Sequence, residues 1–504
     1  MKRICTLLLA AGMLLGVATG ASAIDFKAKG QWLMGFGLAE TNPINKSRVG
    51  DTKTKNTQDQ FGAQQRVRLQ LDAVASEALS GTVFFEIGNQ KWGQANSGGA
   101  LGADASNVIK IKRAYIDWMV PQTDLKFRMG IQGVTLPNKA GGSAIMDTDA
   151  AGITASYQFN ENVGLTAMWV RALNDNYLGE KSHGVNNYQQ NFLDNADLFA
   201  LMVPVKLDGF EITPWAMYGA AGKNSLDGYN NTWGTKDGDL NYSMLPYPAI
   251  RPFGIDDTSK AYGNMFWAGL PFAITAWDPL NIEVDINYGY VESMGRFNAY
   301  KHGAFDKRGS TERQGWLAKA LVEYKMDWGV PGLFGWYASG DDGNVKNGSE
   351  RMPSIVPMGN FTSFMGDGNY GWMYTDYAVD YSGTWGIGLQ IRDMSFLEDL
   401  KHTFRVAYWG GTNSPSMAKY MTHASAWADG YNIDVNGPYL TTNDGLLEFN
   451  LVNSYQMYEN FDVNLELGYI VNMIDDDTWK KGYMPDSYEK QDAWKAQLVF
   501  AYTF

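Results

Sequence analysis

Apolar and polar residues alternate near the end of the chain over stretches of ten residues or more. Apolar or aromatic side chains occupy every second position from Phe461 to Met473, and again from Trp494 to Phe504. This alternation predicts β-strands with one apolar and one polar face. Soluble strands average about 5–6 residues, whereas a tilted strand of about 9–11 residues crosses a bilayer. The pattern therefore favours strands that span a membrane.

The alternation recurs upstream, and the strands are joined by connections of two kinds. Further alternating stretches are 26–38, 66–73, 125–132, 282–290 and 404–408. Short turns, such as 121–124, alternate with long segments rich in Gly, Asn, Asp and Ser. The long segments are 39–60, 93–108, 133–150, 174–195, 220–262, 293–312, 341–381, 411–443 and 474–491. Short turns at one end and long loops at the other are typical of a transmembrane β-barrel.

We therefore predict an all-β fold, a transmembrane antiparallel β-barrel of about 18 strands with short periplasmic turns and long extracellular loops. A count of 16 stays open, because several strands are irregular. A soluble sandwich or propeller is the competing fold, but no fixed repeat of blades is visible. Tyrosines and tryptophans near strand ends are expected in the aromatic girdles at the membrane surfaces. These are Tyr288, Tyr290, Tyr408, Trp409, Tyr469, Trp494 and Tyr502.

Residues 1–23 have the organisation of a secretory signal peptide. Lys2 and Arg3 precede an apolar stretch, and Ala21-Ser22-Ala23 supplies the small residues of a cleavage site. The remaining residues, 24–504, are expected to form a single barrel domain. The one cysteine, Cys5, lies within the predicted signal, so the mature chain has none.

Composition excludes several classes of protein. The mean hydropathy of −0.29 argues against a bundle of membrane helices. A formal charge of −13 and a pI near 4.9 argue against nucleic acid as a partner, because phosphate binding needs a basic surface.

The chain ends Val-Phe-Ala-Tyr-Thr-Phe, and Phe504 resembles the terminal aromatic residue read by the outer-membrane barrel insertion machinery. Together with the signal and the strands, this ending resembles that of Gram-negative outer-membrane porins. More narrowly, the start 24–30 and the strand 127–132 are similar to the homotrimeric porins of sulfate-reducing bacteria of the Desulfovibrio type. The resemblance implies a homotrimer among outer-membrane lipid and lipopolysaccharide, a water-filled channel for passive diffusion of small hydrophilic solutes and ions, and no cofactor.

Polar residues of the alternating strands are the candidates that line the interior. The early strands contribute mainly basic ones: Arg66, Arg68, Arg113, Lys126 and Arg128. Later strands contribute many acids: Glu211, Glu283, Asp285, Glu323, Asp462 and Glu466. In trimeric porins the third extracellular loop folds inward, and its equivalent here is 133–150. We expect a constriction in which the arginines face Asp147 and Asp149 of that loop. The alternative is that the arginines form ordinary ion pairs within the wall.

Other functions have weaker support. A channel selective for sugars or organic acids is the main alternative, and an adhesive surface barrel is another. Segment 432–437 resembles half of a calcium loop, but Asn443 stands where a glutamate is needed, so no metal site is predicted. The chain has no HExxH, CxxC or GxSxG motif, and we do not expect an enzyme. The sign of ion selectivity stays open.

Overall fold

The computed structural model describes residues 24–40, 44–45, 60–94, 100–101, 109–174, 195–222, 260, 262–301, 304–365, 380–421, 439–480, 489–490 and 492–504. The predicted signal and the calcium-like segment 432–437 lie outside these residues. No helix in the described ranges is long and apolar enough to cross a bilayer.

Long antiparallel strands, each paired with its neighbours in the sequence, form the wall of the molecule. They are β1 (Asp25–Glu40), β2 (Gln60–Ser76), β3 (Leu79–Lys91), β4 (Ile109–Met119), β5 (Leu125–Thr135), β6 (Asp147–Gln158), β7 (Gly164–Asn174), β8 (Asn195–Met202 and Val205–Leu207), β9 (Phe210–Ile212 and Trp215–Gly222), β10 (Tyr262–Ile274), β11 (Leu280–Val291), β12 (Arg313–Tyr324), β13 (Val330–Ala338), β14 (Thr384–Leu397), β15 (Leu400–Gly411), β16 (Gly445–Tyr458), β17 (Phe461–Asn472) and β18 (Ala493–Thr503). Strands β8 and β9 are interrupted beside Pro204 and Pro214, which have no N–H to donate to the ladder.

The sheet closes into a barrel because β1 pairs with both β2 and β18. The prediction of 18 strands is thereby confirmed over 16. At the junction, Phe504 and Gly30 exchange backbone hydrogen bonds of 2.8 and 3.1 Å. A Cβ on Gly30 would lie 2.6 Å from the Phe504 ring, so the glycine leaves room for the terminal aromatic side chain.

Alternate residues of each strand point to opposite sides of this wall. In β1, Trp32 and Met34 are 43% and 40% exposed, whereas Leu33 between them is 1% exposed. Leu33 is opposite Arg66 in the register, so both side chains point into the barrel. The exposed outer positions include Tyr288, Trp316 and Tyr337. A closed barrel with an apolar, aromatic-rich outer face is a protein of the Gram-negative outer membrane.

One predicted girdle residue points the other way. Trp409 is fully buried inside the barrel and donates its indole N–H to Glu448, 3.2 Å away. Its neighbour Tyr408 occupies the outward position, and consecutive strand residues cannot both face lipid. Other large side chains, including Trp267 and Phe334, are also buried on inward faces. Part of the barrel interior is therefore a packed core.

The long connections lie at one end of the barrel, as predicted. The connection between β5 and β6 is shorter than the predicted 133–150, since β5 continues to Thr135 and β6 begins at Asp147. It consists of residues 136–146. Outside the barrel sheet, Arg296–Lys301 and Ala304–Ser310 pair as a hairpin between β11 and β12.

Candidate functional site in the barrel lumen

Segment 136–146 folds into the lumen and reaches strands far from its own. The backbone N–H groups of Lys139 and Ala140 donate to the Asp285 carboxylate of β11, at 3.0 and 2.6 Å. Lys319 of β12 donates its ammonium group to the carbonyl oxygens of Ala140, at 2.5 Å, and Gly142. Strand β11 is six strands beyond β5, so the segment crosses the interior instead of following the rim.

Asp285 and Lys319 form the anchor of this segment. They are opposite each other in the β11–β12 register, their charged groups are 3.6 Å apart, and each is 1% exposed. A buried charge is tolerated only where a partner and hydrogen bonds replace water. The wall itself supplies the partner, whereas the hydrogen bonds to both groups come from segment 136–146 and are made only while it is docked. Lys139 adds a further link by donating to Glu211 of β9 at 2.6 Å.

A second segment, 353–365, docks on another part of the wall. Glu448 of β16 accepts hydrogen bonds from the Thr362 hydroxyl at 2.8 Å and the Phe364 N–H at 2.9 Å. Lys495 of β18 donates to the Ser363 carbonyl oxygen at 2.7 Å. This segment, which belongs to the connection between β13 and β14, also enters the lumen.

The two segments contact each other inside the barrel. Gly142–Ser143 pairs with Met358–Gly359 as a short antiparallel ladder. Tyr381, which lies later in the same connection as segment 353–365, donates its hydroxyl to the Gly141 carbonyl oxygen at 2.5 Å. Gly142 has φ of +79°, and a Cβ there would lie 2.2 Å from the Met358 oxygen. Segments 136–146 and 353–365 thus form one joined structure, which we call the partition.

The predicted basic residues line β2 to β5, a different sector of the wall from the β11, β12 and β16–β18 sites that anchor the partition. Arg68 donates to Glu86 at 2.8 Å. Arg128 makes two hydrogen bonds to Asp117, at 2.7 and 2.8 Å, and Lys126 is 3.4 Å from the same carboxylate. These cations therefore pair with carboxylates of neighbouring strands. Arg66 is opposite Leu33 in the register and 9% exposed.

The predicted arrangement of Asp147 and Asp149 needs correction. Both belong to β6 and not to the inward loop. Asp149 accepts a hydrogen bond from Arg113 at 2.6 Å, and Lys112 is 3.3 Å from it. Asp147 accepts from the Thr135 hydroxyl at 2.7 Å. These acids are neighbours of the basic residues in the wall and do not face them across the lumen, because the strands are longer than the sequence pattern indicated.

A recess of about 300 Å³ lies beside this basic sector. Its lining includes Lys126, Arg128, Gln132, Thr154, Ser156 and Thr166. The cations remain accessible: the Lys126 and Arg128 side chains are 46% and 35% exposed. Cations, hydroxyls and an amide together provide hydrogen-bonding groups for a polar solute.

Sequence reasoning identified Asp285 and Glu466 as inward acids but missed the cations that pair with them. Lys319 is the partner of Asp285, and Lys495 lies 3.2 Å from Glu466. The sequence gives one indication of these two lysines, namely that each occupies an inward position of its strand. In the described part of the chain no group of three or more His, Cys, Asp or Glu side chains is arranged to hold a metal ion.

Comparisons with known proteins find similar structures at very low identity. The outer membrane protein OprD of Pseudomonas aeruginosa is 11% identical, with a TM-score of 0.49 over 97% of this chain and 96% of that chain. OccAB3 of Acinetobacter baumannii is 12% identical, with a TM-score of 0.48 over 95% of this chain and 99% of that chain. OpdK of Pseudomonas aeruginosa, in a structure with vanillate, is 9% identical, with a TM-score of 0.47 over 95% of this chain and 98% of that chain. No protein-family model and no curated protein matches the chain.

Proposed function

We propose that the protein is an outer-membrane porin, a water-filled channel for passive diffusion of small hydrophilic solutes and ions. The supporting observation is the accessible charged sector inside a barrel whose outer face is apolar. Inward ionic groups such as Arg128 and Asp117 are solvated by water in the lumen and interact with the ions and solutes that pass through it. No catalytic residue and no cofactor is part of this proposal.

Single-channel recording of the purified mature protein in a planar bilayer tests the channel. We expect discrete open levels that scale with salt concentration. Correctly folded protein that inserts without any ion current would refute the proposal and favour the adhesive barrel.

The second candidate is a channel selective for small organic acids, and two observations favour it. The partition occupies part of the lumen and so narrows the route. The accessible wall beside the recess carries Lys126 and Arg128, which share the single carboxylate Asp117 and leave an excess of positive charge. An anion is stabilised there, whereas a neutral sugar gains nothing from this charge.

Gluconate and glucose distinguish the two candidates, because they have the same carbon skeleton and differ in charge. A selective channel predicts saturable block of the ion current by gluconate and none by glucose. The double variant Lys126→Gln, Arg128→Gln removes the two cations of the recess. It should weaken this block about 30-fold, because about 1 kcal/mol per lost cation amounts to about 2 kcal/mol, and about 1.4 kcal/mol corresponds to tenfold. Lys325→Gln at an exposed periplasmic turn should not weaken it. Equal block of the ion current by gluconate and glucose would rule out the channel selective for organic acids and would support the general porin.

Assembly completes the proposal. We infer export by the signal 1–23, insertion by the barrel machinery reading Phe504, and a homotrimer in contact with lipid and lipopolysaccharide. The organisation of residues 1–23 supports export, and the terminal Phe504 supports insertion. The trimer rests on the resemblance to the homotrimeric porins of sulfate-reducing bacteria. Current that closes in three equal steps would support the trimer.

A further inference from the structure

The hairpin 296–310 is basic although the whole chain has a formal charge of −13. Its cations are Arg296, Lys301, Lys307 and Arg308, and its only carboxylate is Asp306. The hairpin belongs to a long connection and therefore lies at the extracellular end of the barrel.

One face of the hairpin packs on neighbouring loops. Phe297 and Ala299 are fully buried, and the Ser310 N–H donates to the Val345 carbonyl oxygen at 2.9 Å. Lys307 is opposite Ala299 in the register and therefore points toward this packed face. Its side chain meets the 3-10 turn Pro415–Tyr420, which follows β15.

Tyr420 brings cations from the hairpin and the turn together. The ammonium nitrogens of Lys307 and Lys419 lie 5.7 and 4.8 Å from the centroid of its ring. Its hydroxyl donates to Asp306 at 2.8 Å. Lys301, at the exposed end of the hairpin strand, is close enough for its charge to act on both Asp306 and Lys419. It is the third lysine of what we call the lysine cluster: Lys301, Lys307 and Lys419.

The lysine cluster has more positive charge than its single carboxylate can balance. Burial, and then the neighbouring charge of Lys307, lower the pKa of Lys419. The Tyr420 hydrogen bond and the nearby lysines lower the pKa of Asp306, which therefore stays ionised. Lys307 and Lys419 carry like charges beside one ring and therefore repel each other. A bound anion would remove this repulsion.

We propose that the lysine cluster is an extracellular binding site for phosphate groups. A phosphate carries up to two negative charges and has several oxygens that can each accept from a different ammonium group. A planar carboxylate is better bound by the forked guanidinium group of one arginine than by three separate lysines, so the lysine cluster suits phosphate better than carboxylate. The phosphate could come from the headgroup of lipopolysaccharide or from a free ion in the medium.

Isothermal titration of the purified mature protein in detergent tests this site. The probes are inorganic phosphate, intact lipopolysaccharide and the same lipopolysaccharide after dephosphorylation. The triple variant Lys301→Gln, Lys307→Gln, Lys419→Gln should bind the phosphorylated probe at least about tenfold more weakly, because it removes all three positive charges that attract the phosphate. The control, Lys325→Gln with Lys401→Gln, removes exposed lysines at periplasmic turns and should bind like the unmodified protein.

The pattern of binding identifies the source of the phosphate. Binding of inorganic phosphate that the triple variant loses supports a site for the free ion. Binding of intact but not dephosphorylated lipopolysaccharide, lost in the same variant, supports the lipid headgroup. The proposal is overturned if the unmodified protein binds neither probe, or if a triple variant with normal heat-modifiable migration binds as the control does. Because conductance is not the readout, failure of the porin proposal would be seen separately.

Discussion

Asp285 illustrates how one inward carboxylate directs a whole segment of chain. It accepts the backbone N–H groups of Lys139 and Ala140 and pairs with Lys319. Without segment 136–146 these groups would need water as a partner, at positions that the docked segment now buries. The anchor is therefore stable only as a complete set.

We expect Asp285→Asn to release segment 136–146 from the wall. Removing one member of a buried ion pair costs about 3 kcal/mol, because the other charge remains buried. Single-channel recordings should show larger or noisier open levels. Glu283→Gln, which neutralises another inward carboxylate of the same strand, hydrogen-bonded to Asn281, is the matched control; it changes the charge of the wall but should keep the segment docked, without added noise in the openings. Identical recordings from Asp285→Asn and Glu283→Gln would contradict the anchor.

Glu350, in the connection between β13 and β14, provides a pH prediction. Burial raises the pKa of its carboxyl group to about 7, and it accepts hydrogen bonds from the Asp342 N–H and the Asn347 amide, each at 3.0 Å. The folded protein thus holds the proton more tightly than the unfolded chain. Stability contributed by this group is present at low pH and is lost as pH rises from about 4.5 to about 7.

Glu350→Gln should therefore raise the thermal midpoint at pH 8.5 and have little effect at pH 5. The glutamine keeps the size of the side chain and cannot ionise. Thermal unfolding of both proteins at both pH values measures the difference. An equal shift at the two pH values would show that ionisation of Glu350 is not the cause.

At the scale of elements, the partition depends on backbone that only glycine permits. An alanine at Gly142 would meet the Met358 oxygen at 2.2 Å in a left-handed conformation. We expect Gly142→Ala to disturb the short ladder at a cost of about 1–3 kcal/mol and to raise the conductance. Gly81→Ala is the control, since a Cβ there would have no neighbour within 4 Å. Unchanged conductance in a folded Gly142→Ala protein would mean that the ladder does not limit the pore.

A second prediction concerns the pairing of the C-terminal strand β18 with β1, which closes the barrel. Phe504 pairs with Gly30 through the backbone and places its ring over that glycine. Deleting Phe504 should reduce the amount assembled in the outer membrane more than the amount synthesised, while Phe504→Tyr keeps the ring and should assemble. Cell fractionation with immunoblotting compares the two. Normal assembly of the deletion would rule out this role for the C-terminal residue.

The strands were predictable from local pattern, and the path of the loops was not. Alternation in β17 and β18 marks their positions because one face meets lipid and the other does not. The bonds from Lys139 and Ala140 to Asp285 span 146 and 145 residues, and no local pattern encodes them. Trp409 lies near a strand end, which predicts a girdle position, but it faces inward because the docked partition gives this part of the lumen a packed core; Thr362 of the partition and Trp409 both donate to Glu448.

For the whole molecule, the central claim is that one layer of strands separates lipid from a water-filled route. Two consecutive residues of β6 point to opposite sides of this layer, one to the lumen and one to the outer face. Thr154 lines the recess beside Arg128 and donates to Gln132 at 3.1 Å. Ile153 lines an apolar groove on the outer face together with Phe199, which is 48% exposed.

Cysteine accessibility at these two positions tests the claim most directly, because the predicted mature chain has no cysteine of its own. Thr154→Cys and Ile153→Cys would be treated in a planar bilayer with a negatively charged, membrane-impermeant methanethiosulfonate while the ion current is recorded. We expect rapid modification of Thr154→Cys with a stepwise fall in current, and no change for Ile153→Cys. A conducting Thr154→Cys protein that does not react, or equal reaction at both positions, would contradict a water-filled route along this wall.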